Sequence, residues 1–302
     1  MSKENILADI EKKYGQQGEN SENYLKGLLH AKPITYWDYV QVDTLLTLQK
    51  PRTDFKDEEI FILYHQVTEL VLKMMVHEAR QLVEVDLPED AWIDKINRLN
   101  RYTGMLITSF DVMKSGMNYD DYNTFRSTLT PASGFQSAQF RFLEIYCTPL
   151  ENLVNEEGRK RLSANPSVED CFETIYWKDA GLNRQTGKKS LTLSLFEEKY
   201  LEQFIALAKK VKGNTLAEKA ERFSAPSEAF LAGLKGFDHR YNVEWPMVHL
   251  STAQHYLDSK GETKAATGGS EWKKYLHPKF QQRKFFPFLW SDNEKKNWGA
   301  GS

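Results

Sequence analysis

The sequence predicts an all-α protein. Apolar residues recur at helical spacing over the segments 54–80, 92–113 and 191–211. The first of these segments opens with Asp57, Glu58 and Glu59, which suit the positive end of a helix dipole. Long amphipathic helices of this kind bury one face against a shared core, so we expect a helical bundle.

Length and composition favour one large folded domain. The chain has 302 residues, of which 40% are hydrophobic and 13% are aromatic, enough for a sizeable core. No shift in composition marks an internal boundary, so we expect a single domain over 1–302. Lys and Arg number 40 against 42 Asp and Glu, which gives no reason to expect a nucleic-acid or membrane-surface partner. A small-molecule substrate or a protein partner is expected instead.

Cysteine usage and the N-terminus favour a cytoplasmic location. Cys147 and Cys171 are too few for a disulfide framework or a thiolate metal cluster. The N-terminus lacks a signal-peptide core, and no segment approaches the roughly 18 apolar residues that a membrane span needs.

The first 35 residues predict an N-terminal arm. Ile6, Ile10 and Tyr14 recur at helical spacing, and a polar stretch follows. Tyr36 and Tyr39 come directly after the arm. They either face a partner subunit or cover the core of their own chain.

The segment 54–80 presents two apolar faces. One is predicted to lie in the core and comprises Ile60, Leu63, Tyr64, Val67, Leu70, Val71, Met74 and Met75. The other carries Phe61, His65 and Leu72 at helical intervals. His65 is therefore flanked by apolar bulk, where it is either a hydrogen-bonded core histidine or a catalytic one.

An arginine lies beside a predicted helix break. Tyr122 and Arg126 are four residues apart and share a face if this turn is helical. The break contains Pro131 and Gly134. Arginine grips a carboxylate with two parallel hydrogen bonds, so the position suggests an anion site, with an internal salt bridge as the alternative.

A second histidine follows a tryptophan near the C-terminus. Trp245 and His249 fall on one helical face within the segment 237–257. An imidazole placed so can face a flat apolar cofactor, or it can be a core histidine. Pro246 indicates that the helix either begins near this residue or is kinked there.

Two further segments complete the pattern. The sequence KAATGGS at 264–270 forms either a backbone nest for an anion or a plain flexible loop. The tail at 278–302 is too aromatic to remain unpacked, so we expect it to lie on the body of the protein or on a neighbouring subunit.

The order of these signals resembles the tryptophan 2,3-dioxygenase family, whose members are all-helical haem enzymes that open the indole ring of L-tryptophan. The resemblance covers roughly 35–145 and 237–276. It rests on the blocks YWDYVQVDTLLTLQ, FILYHQVTELVLKMMVHE, FRSTLTPASGFQSAQFRFLE, WPMVH and ATGGS.

The resemblance implies a haem dioxygenase fold and a set of site residues. His249 would be the axial ligand of a haem b iron, one haem per subunit, and His65 would accept a hydrogen bond from the indole N–H. Phe61 would form a wall of the pocket. Arg126, assisted by Tyr122, would bind the substrate carboxylate.

The resemblance also implies a closing loop and a homotetramer. Thr267 would contact the amino-acid backbone of the substrate. Tyr36, Tyr39 and Val40 would come from a neighbouring subunit and cover the indole, so the N-terminal arm would serve subunit exchange.

The implied reaction yields N-formyl-L-kynurenine in tryptophan catabolism through the kynurenine pathway. Pro246 stands where family members usually have an arginine. Two alternatives stay open. One is a related haem-dependent monooxygenase acting on tryptophan or another aromatic amino acid, and the other is a non-catalytic protein that binds haem or an amino acid.

Overall fold

A computed structural model describes residues 1–183, 186–258, 273 and 276–300. The chain divides into two compact units, residues 1–50 and 51–302. Within the described residues, regular structure is helical apart from two isolated β-bridges, so the all-α prediction is confirmed. The single domain with an arm at 1–35 stays a prediction.

The smaller unit consists of four helices, numbered in chain order. They are α1 (Lys3–Gly15), α2 (Ser21–His30), α3 (Tyr36–Val40) and α4 (Val42–Leu45).

The larger unit contains the long helices that the periodicity predicts, together with shorter ones. They are α5 (Asp57–Glu84), α6 (Glu89–Ser115), α7 (Tyr119–Phe125), α8 (Ala138–Cys147), α9 (Glu156–Arg161), α10 (Val168–Glu173), α11 (Leu191–Val211), α12 (Leu216–Ala220), α13 (Glu228–His239), α14 (Trp245–Leu257), α15 (Pro278–Gln281) and α16 (Asp292–Lys296). None of the helices in the described ranges has the length and apolar character needed to cross a membrane.

The core of the larger unit forms where α5, α6 and α8 pack together, with α13 and α14 lying against α6. The aromatic C-terminal tail joins this unit, because Phe285, Phe286, Trp290 and Trp298 are all buried. Of the two locations expected for the tail, the structure therefore places these residues on the body of their own chain.

One prediction about α5 is partly wrong. Tyr64, Val71 and Met75 are buried as expected, but four members of the predicted core stripe are exposed: Leu63, Val67, Leu70 and Met74. A 28-residue helix packed between two neighbours buries less than its full apolar circumference. The four exposed side chains recur at i, i+4, i+7 and i+11, so they form one apolar stripe, here called the α5 stripe.

Pro246 is accommodated by a change of helix type. The π-helical segment Arg240–Glu244 connects α13 to α14, and α14 begins at Trp245 with Pro246 in its first turn. Proline has no N–H and its ring clashes with the carbonyl four residues earlier in an α-helix. A wider π turn relieves that constraint, so the chain remains helical through the proline.

The π segment is tied to the C-terminal tail by one fully buried carboxylate, that of Asp238. Its Oδ1 accepts hydrogen bonds from Asn242 Nδ2 at 2.8 Å and from the Phe285 backbone N–H at 2.8 Å. Its Oδ2 accepts from the Phe286 backbone N–H at 3.0 Å and from Trp290 Nε1 at 2.8 Å. Burial raises the pKa of Asp238, while these four donors act in the opposite direction by stabilising the carboxylate.

We predict that Asp238→Asn destabilises the protein by about 3 kcal/mol or more, because an amide NH₂ group would face donors that now bind a carboxylate oxygen. Urea unfolding followed by circular dichroism measures this change. Asp292→Asn is the matched control, since the Asp292 side chain is fully exposed, and it should change the free energy of unfolding by less than about 0.5 kcal/mol. Equal stability of the two variants would contradict the role given to Asp238.

Candidate active site

The structure brings together four of the residues predicted for the substrate site. Phe61 and His65 lie one turn apart on α5, and their ring centroids are 4.1 Å apart. Tyr122 on α7 lies against Phe61, with 5.9 Å between ring centroids. Arg126 follows directly after α7, at the start of a short 3-10 turn, so it lies at a helix break as predicted.

The hydrogen bond of His65 fixes which ring nitrogen carries the proton. Its Nδ1 lies 2.7 Å from the carbonyl oxygen of Phe61. A carbonyl only accepts hydrogen bonds, so Nδ1 must be the protonated nitrogen. Desolvation lowers the pKa of His65, which keeps the ring neutral and leaves Nε2 as an acceptor. The side chain can therefore receive a hydrogen bond from an N–H group of a ligand.

Tyr122 and Arg126 form a polar pair inside this aromatic setting. The Arg126 side chain donates a hydrogen bond to the Tyr122 hydroxyl, as their spacing of four residues predicts. Burial raises the pKa of Tyr122 and the Arg126 charge opposes that rise, so the phenol stays neutral. A guanidinium and a phenol held side by side can donate together to a carboxylate.

His249 lies on α14, close enough to His65 for the two rings to influence each other electrostatically. His249 is exposed to solvent, yet the protein atoms around its ring still desolvate it, and this effect together with His65 lowers the pKa of His249 to about 4. The ring is thus neutral at physiological pH. Within the part of the chain that the structure describes, no hydrogen bond engages its ring nitrogens, so they are available as ligands.

Two aromatic residues of the site were missed by the sequence reasoning. Tyr256 packs on Tyr122 with ring centroids 4.2 Å apart, and its hydroxyl donates to the Met113 carbonyl oxygen at 2.6 Å. Phe110 packs on His249 at 5.3 Å. Tyr256 lies seven residues after His249, so it shares a helical face with the histidine, and this spacing was the available signal.

The other predicted site residues are placed as follows. Tyr36 and Tyr39 lie on α3 in the smaller unit and are 73% and 78% exposed. Thr267, with the whole segment 264–270, lies outside the described residues.

The donor set fits a haem better than a bare metal ion. No group of three or more His, Cys, Asp or Glu side chains in the described ranges is arranged to hold a metal ion directly. A porphyrin supplies four iron ligands itself, so one neutral imidazole such as that of His249 is sufficient. The aromatic side chains of Phe110, Phe61 and Tyr64 provide apolar surroundings for a flat macrocycle.

Comparison with known proteins agrees with this geometry. The family model described as tryptophan 2,3-dioxygenase matches residues 25–204. The chain is 30% identical to the tryptophan 2,3-dioxygenase of a Bacillus cereus strain over 298 residues, covering 92% of this chain and 99% of the relative. The chain belongs to the tryptophan 2,3-dioxygenase family.

Members of the family from other bacteria are similar to this chain as well. The tryptophan 2,3-dioxygenase of Cupriavidus necator is 28% identical over 86% of this chain and 87% of its own length. That of Caulobacter vibrioides is 28% identical over 86% of this chain and 98% of its own length. The segment matched by the family model includes Phe61, His65, Tyr122 and Arg126, and it ends before His249.

Proposed function

We propose that this oxidoreductase opens the indole ring of L-tryptophan with dioxygen and forms N-formyl-L-kynurenine, the first step of tryptophan breakdown through the kynurenine pathway. Membership of the tryptophan 2,3-dioxygenase family supports this reaction. The observation that carries it is that a hydrogen-bond acceptor, His65, and a cation, Arg126, lie at one cluster of aromatic side chains, which includes Phe61 and Tyr122.

Each of these side chains then has one task in binding the substrate. Arg126 and the Tyr122 hydroxyl bind the carboxylate of L-tryptophan. His65 accepts a hydrogen bond from the indole N–H through Nε2, because its Nδ1 already donates to the Phe61 carbonyl. The Phe61 ring forms one wall and excludes water from the indole. Two fixed points at opposite ends of the substrate determine its orientation.

The cofactor in this proposal is haem b, one per subunit, and His249 is the residue that would bind its iron. When bound, the haem supplies the iron chemistry that allows dioxygen to react with the indole. The lowered pKa of His249, about 4, supports the assignment, since only an unprotonated nitrogen can bind a metal.

We further propose that the functional unit is a homotetramer in which Tyr36, Tyr39 and Val40 of a neighbouring subunit cover the indole. The exposed α5 stripe supports an association of subunits, because contiguous apolar surface on a helix favours contact with another protein surface. Thr267 is proposed to contact the amino-acid backbone of the substrate. The cytoplasmic location stays a prediction.

The reaction is tested by mixing the anaerobic ferrous haem-loaded protein with L-tryptophan and then with ¹⁸O₂. We expect N-formylkynurenine that carries two labelled oxygen atoms, measured by mass spectrometry. His249→Ala should lose the Soret band, whereas His255→Ala, an exposed histidine on the same helix, should keep it.

Other outcomes would contradict parts of the proposal. A product with one added oxygen atom would indicate a monooxygenase. A protein that binds haem but whose ferrous spectrum does not respond to tryptophan would be a binding protein. A Soret band that survives in His249→Ala would remove the ligand role of His249.

The role of Arg126 is tested with two ligands. We expect Arg126→Ala to weaken L-tryptophan binding by about 2–4 kcal/mol, because it removes one partner of a desolvated charged pair. The binding of tryptamine, which lacks the carboxylate, should hardly change. Arg101→Ala is the control, since Arg101 is exposed on α6. If Arg126 serves only an internal salt bridge, tryptophan and tryptamine will be affected equally.

The subunit contact is tested by sedimentation velocity. We expect the protein to sediment as a tetramer and Leu70→Glu, at the centre of the α5 stripe, to produce smaller species, because a charge cannot be buried there without a partner. Leu195→Glu changes a similarly exposed leucine on α11 and should leave the tetramer intact. A monomeric parent protein would refute the tetramer.

A further inference from the structure

A cavity in the larger unit is lined by residues that take no part in the proposed active site. Its volume is about 220 Å³. The lining side chains are mainly polar, and they are Glu151, Asn152, Arg159, Gln282, Lys284 and Pro287. A cavity below roughly 300 Å³ is smaller than a typical drug-sized pocket, so any ligand here must be small.

One of the lining residues is a buried lysine, Lys284, that forms no ion pair with a carboxylate of the described residues. Lys284 is only 8% exposed. Its Nζ donates to Gln282 Oε1 at 2.7 Å and approaches the Gln282 carbonyl oxygen at 3.4 Å. On another side it lies 4.7 Å from the ring centroid of Trp298. Among the described residues, no carboxylate oxygen lies within ion-pair distance of it.

Two other buried cations in this unit are neutralised directly. Lys178 contacts Glu197 at 2.9 Å, and Arg283, the residue before Lys284, contacts Glu144 at 2.8 Å. Burying a charge without a counter-charge is costly. Lys284 therefore departs from the pattern that the same protein follows elsewhere.

A second cation faces the same cavity. Arg159 on α9 lies near enough to Lys284 for the two charges to repel each other. Desolvation and this repulsion, with a smaller contribution from Lys295, lower the pKa of Lys284 to about 8, and Asp238 acts in the opposite direction. Glu151 also lines the cavity, as an exposed residue.

The backbone at Gln282 is held in a conformation that suits this arrangement. Gln282 has φ +52°, a left-handed value that is uncommon for a residue other than glycine. Its Nε2 donates to the Lys279 carbonyl oxygen at 2.8 Å, which turns Oε1 towards the Lys284 ammonium. The Lys284 ammonium is thereby held by neutral oxygen atoms, and among the described residues no carboxylate contacts it directly.

We propose that this cavity binds a small oxyanion, a carboxylate or a phosphate, between Lys284 and Arg159. The ammonium provides a point charge and the guanidinium a planar pair of donors, which together are the usual groups that hold such ligands. A bound anion would connect α9 to the C-terminal segment. The proposal is independent of the haem and tryptophan sites.

Binding is tested on the full-length protein by thermal unfolding at pH 7 and constant ionic strength, with inorganic phosphate in one arm and malonate in the other. We expect a saturable rise in the unfolding temperature with at least one of them and none with chloride. Lys284→Gln and Arg159→Gln should each weaken that binding at least tenfold. The controls Lys199→Gln and Arg101→Gln, both exposed cations, should leave it unchanged.

The pH dependence of the wild-type protein gives a second measurement that needs no variant. Lys284 loses its charge as the pH rises through about 8, whereas Arg159 stays charged and malonate stays fully ionised. Malonate binding should therefore weaken about tenfold between pH 7 and pH 9.

Several results would overturn the proposal. They are an affinity that does not change between pH 7 and pH 9, equal stabilisation by chloride, or full binding by Lys284→Gln. If Lys284→Gln fails to fold, the wild-type pH dependence and Lys284→Arg, which keeps the charge and should keep the binding, decide the question. Stabilisation by phosphate alone would identify a phosphate site, and stabilisation by malonate alone would identify a carboxylate site.

Discussion

The carboxylate of Asp238 is the constraint on which the helix that carries His249 depends. Its four hydrogen-bond donors come from Asn242 in the π segment and from Phe285, Phe286 and Trp290 in the tail. A buried carboxylate is tolerable only when donors converge on it in this way. The π segment and the tail therefore hold each other in place, and α14 continues directly from the π segment.

A second buried carboxylate, that of Glu144, joins the same tail to α8. Glu144 on α8 accepts hydrogen bonds from Arg283 at 2.8 Å, from Arg141 at 3.0 Å and from the Tyr176 hydroxyl at 2.6 Å. Helix α8 begins shortly after the break that follows Arg126. The tail segment 283–290 is thus a common support for the helix bearing His249 and for α8. This explains why so aromatic a tail is buried although it carries none of the proposed substrate contacts.

The sequence predicted the parts of this structure that depend on local spacing. Helical periodicity gave the bounds of α11 correctly, and the spacing of four between Tyr122 and Arg126 predicted their contact. Periodicity could not show which apolar positions of α5 face the core, because an exposed apolar stripe on a helix has the same spacing as a buried one.

The sequence also could not reveal the structural features that depend on hydrogen bonds between residues far apart in the chain. In the sequence, nothing distinguishes Asp238 from other charged residues on helices, because three of its hydrogen-bond donors lie 47 to 52 residues further along the chain. Pro246 indicates a disturbance of the helix, yet the choice of a π turn depends on packing that no local pattern contains.

The two site histidines illustrate how one physical effect can serve two different tasks. Desolvation lowers the pKa of both His65 and His249, so both rings are neutral. What separates them is the neighbouring backbone. The Phe61 carbonyl oxygen keeps the proton of His65 on Nδ1, so that Nε2 can accept a hydrogen bond. Among the described residues, no hydrogen bond fixes the tautomer of His249 in this way. A ring with both nitrogens uncommitted can approach a metal with either one, and a ring with a fixed tautomer can discriminate an N–H donor from an acceptor. The proposed assignment of His65 to the substrate and of His249 to the iron is supported by this difference in their hydrogen bonds, because their shared pKa direction alone would not distinguish them.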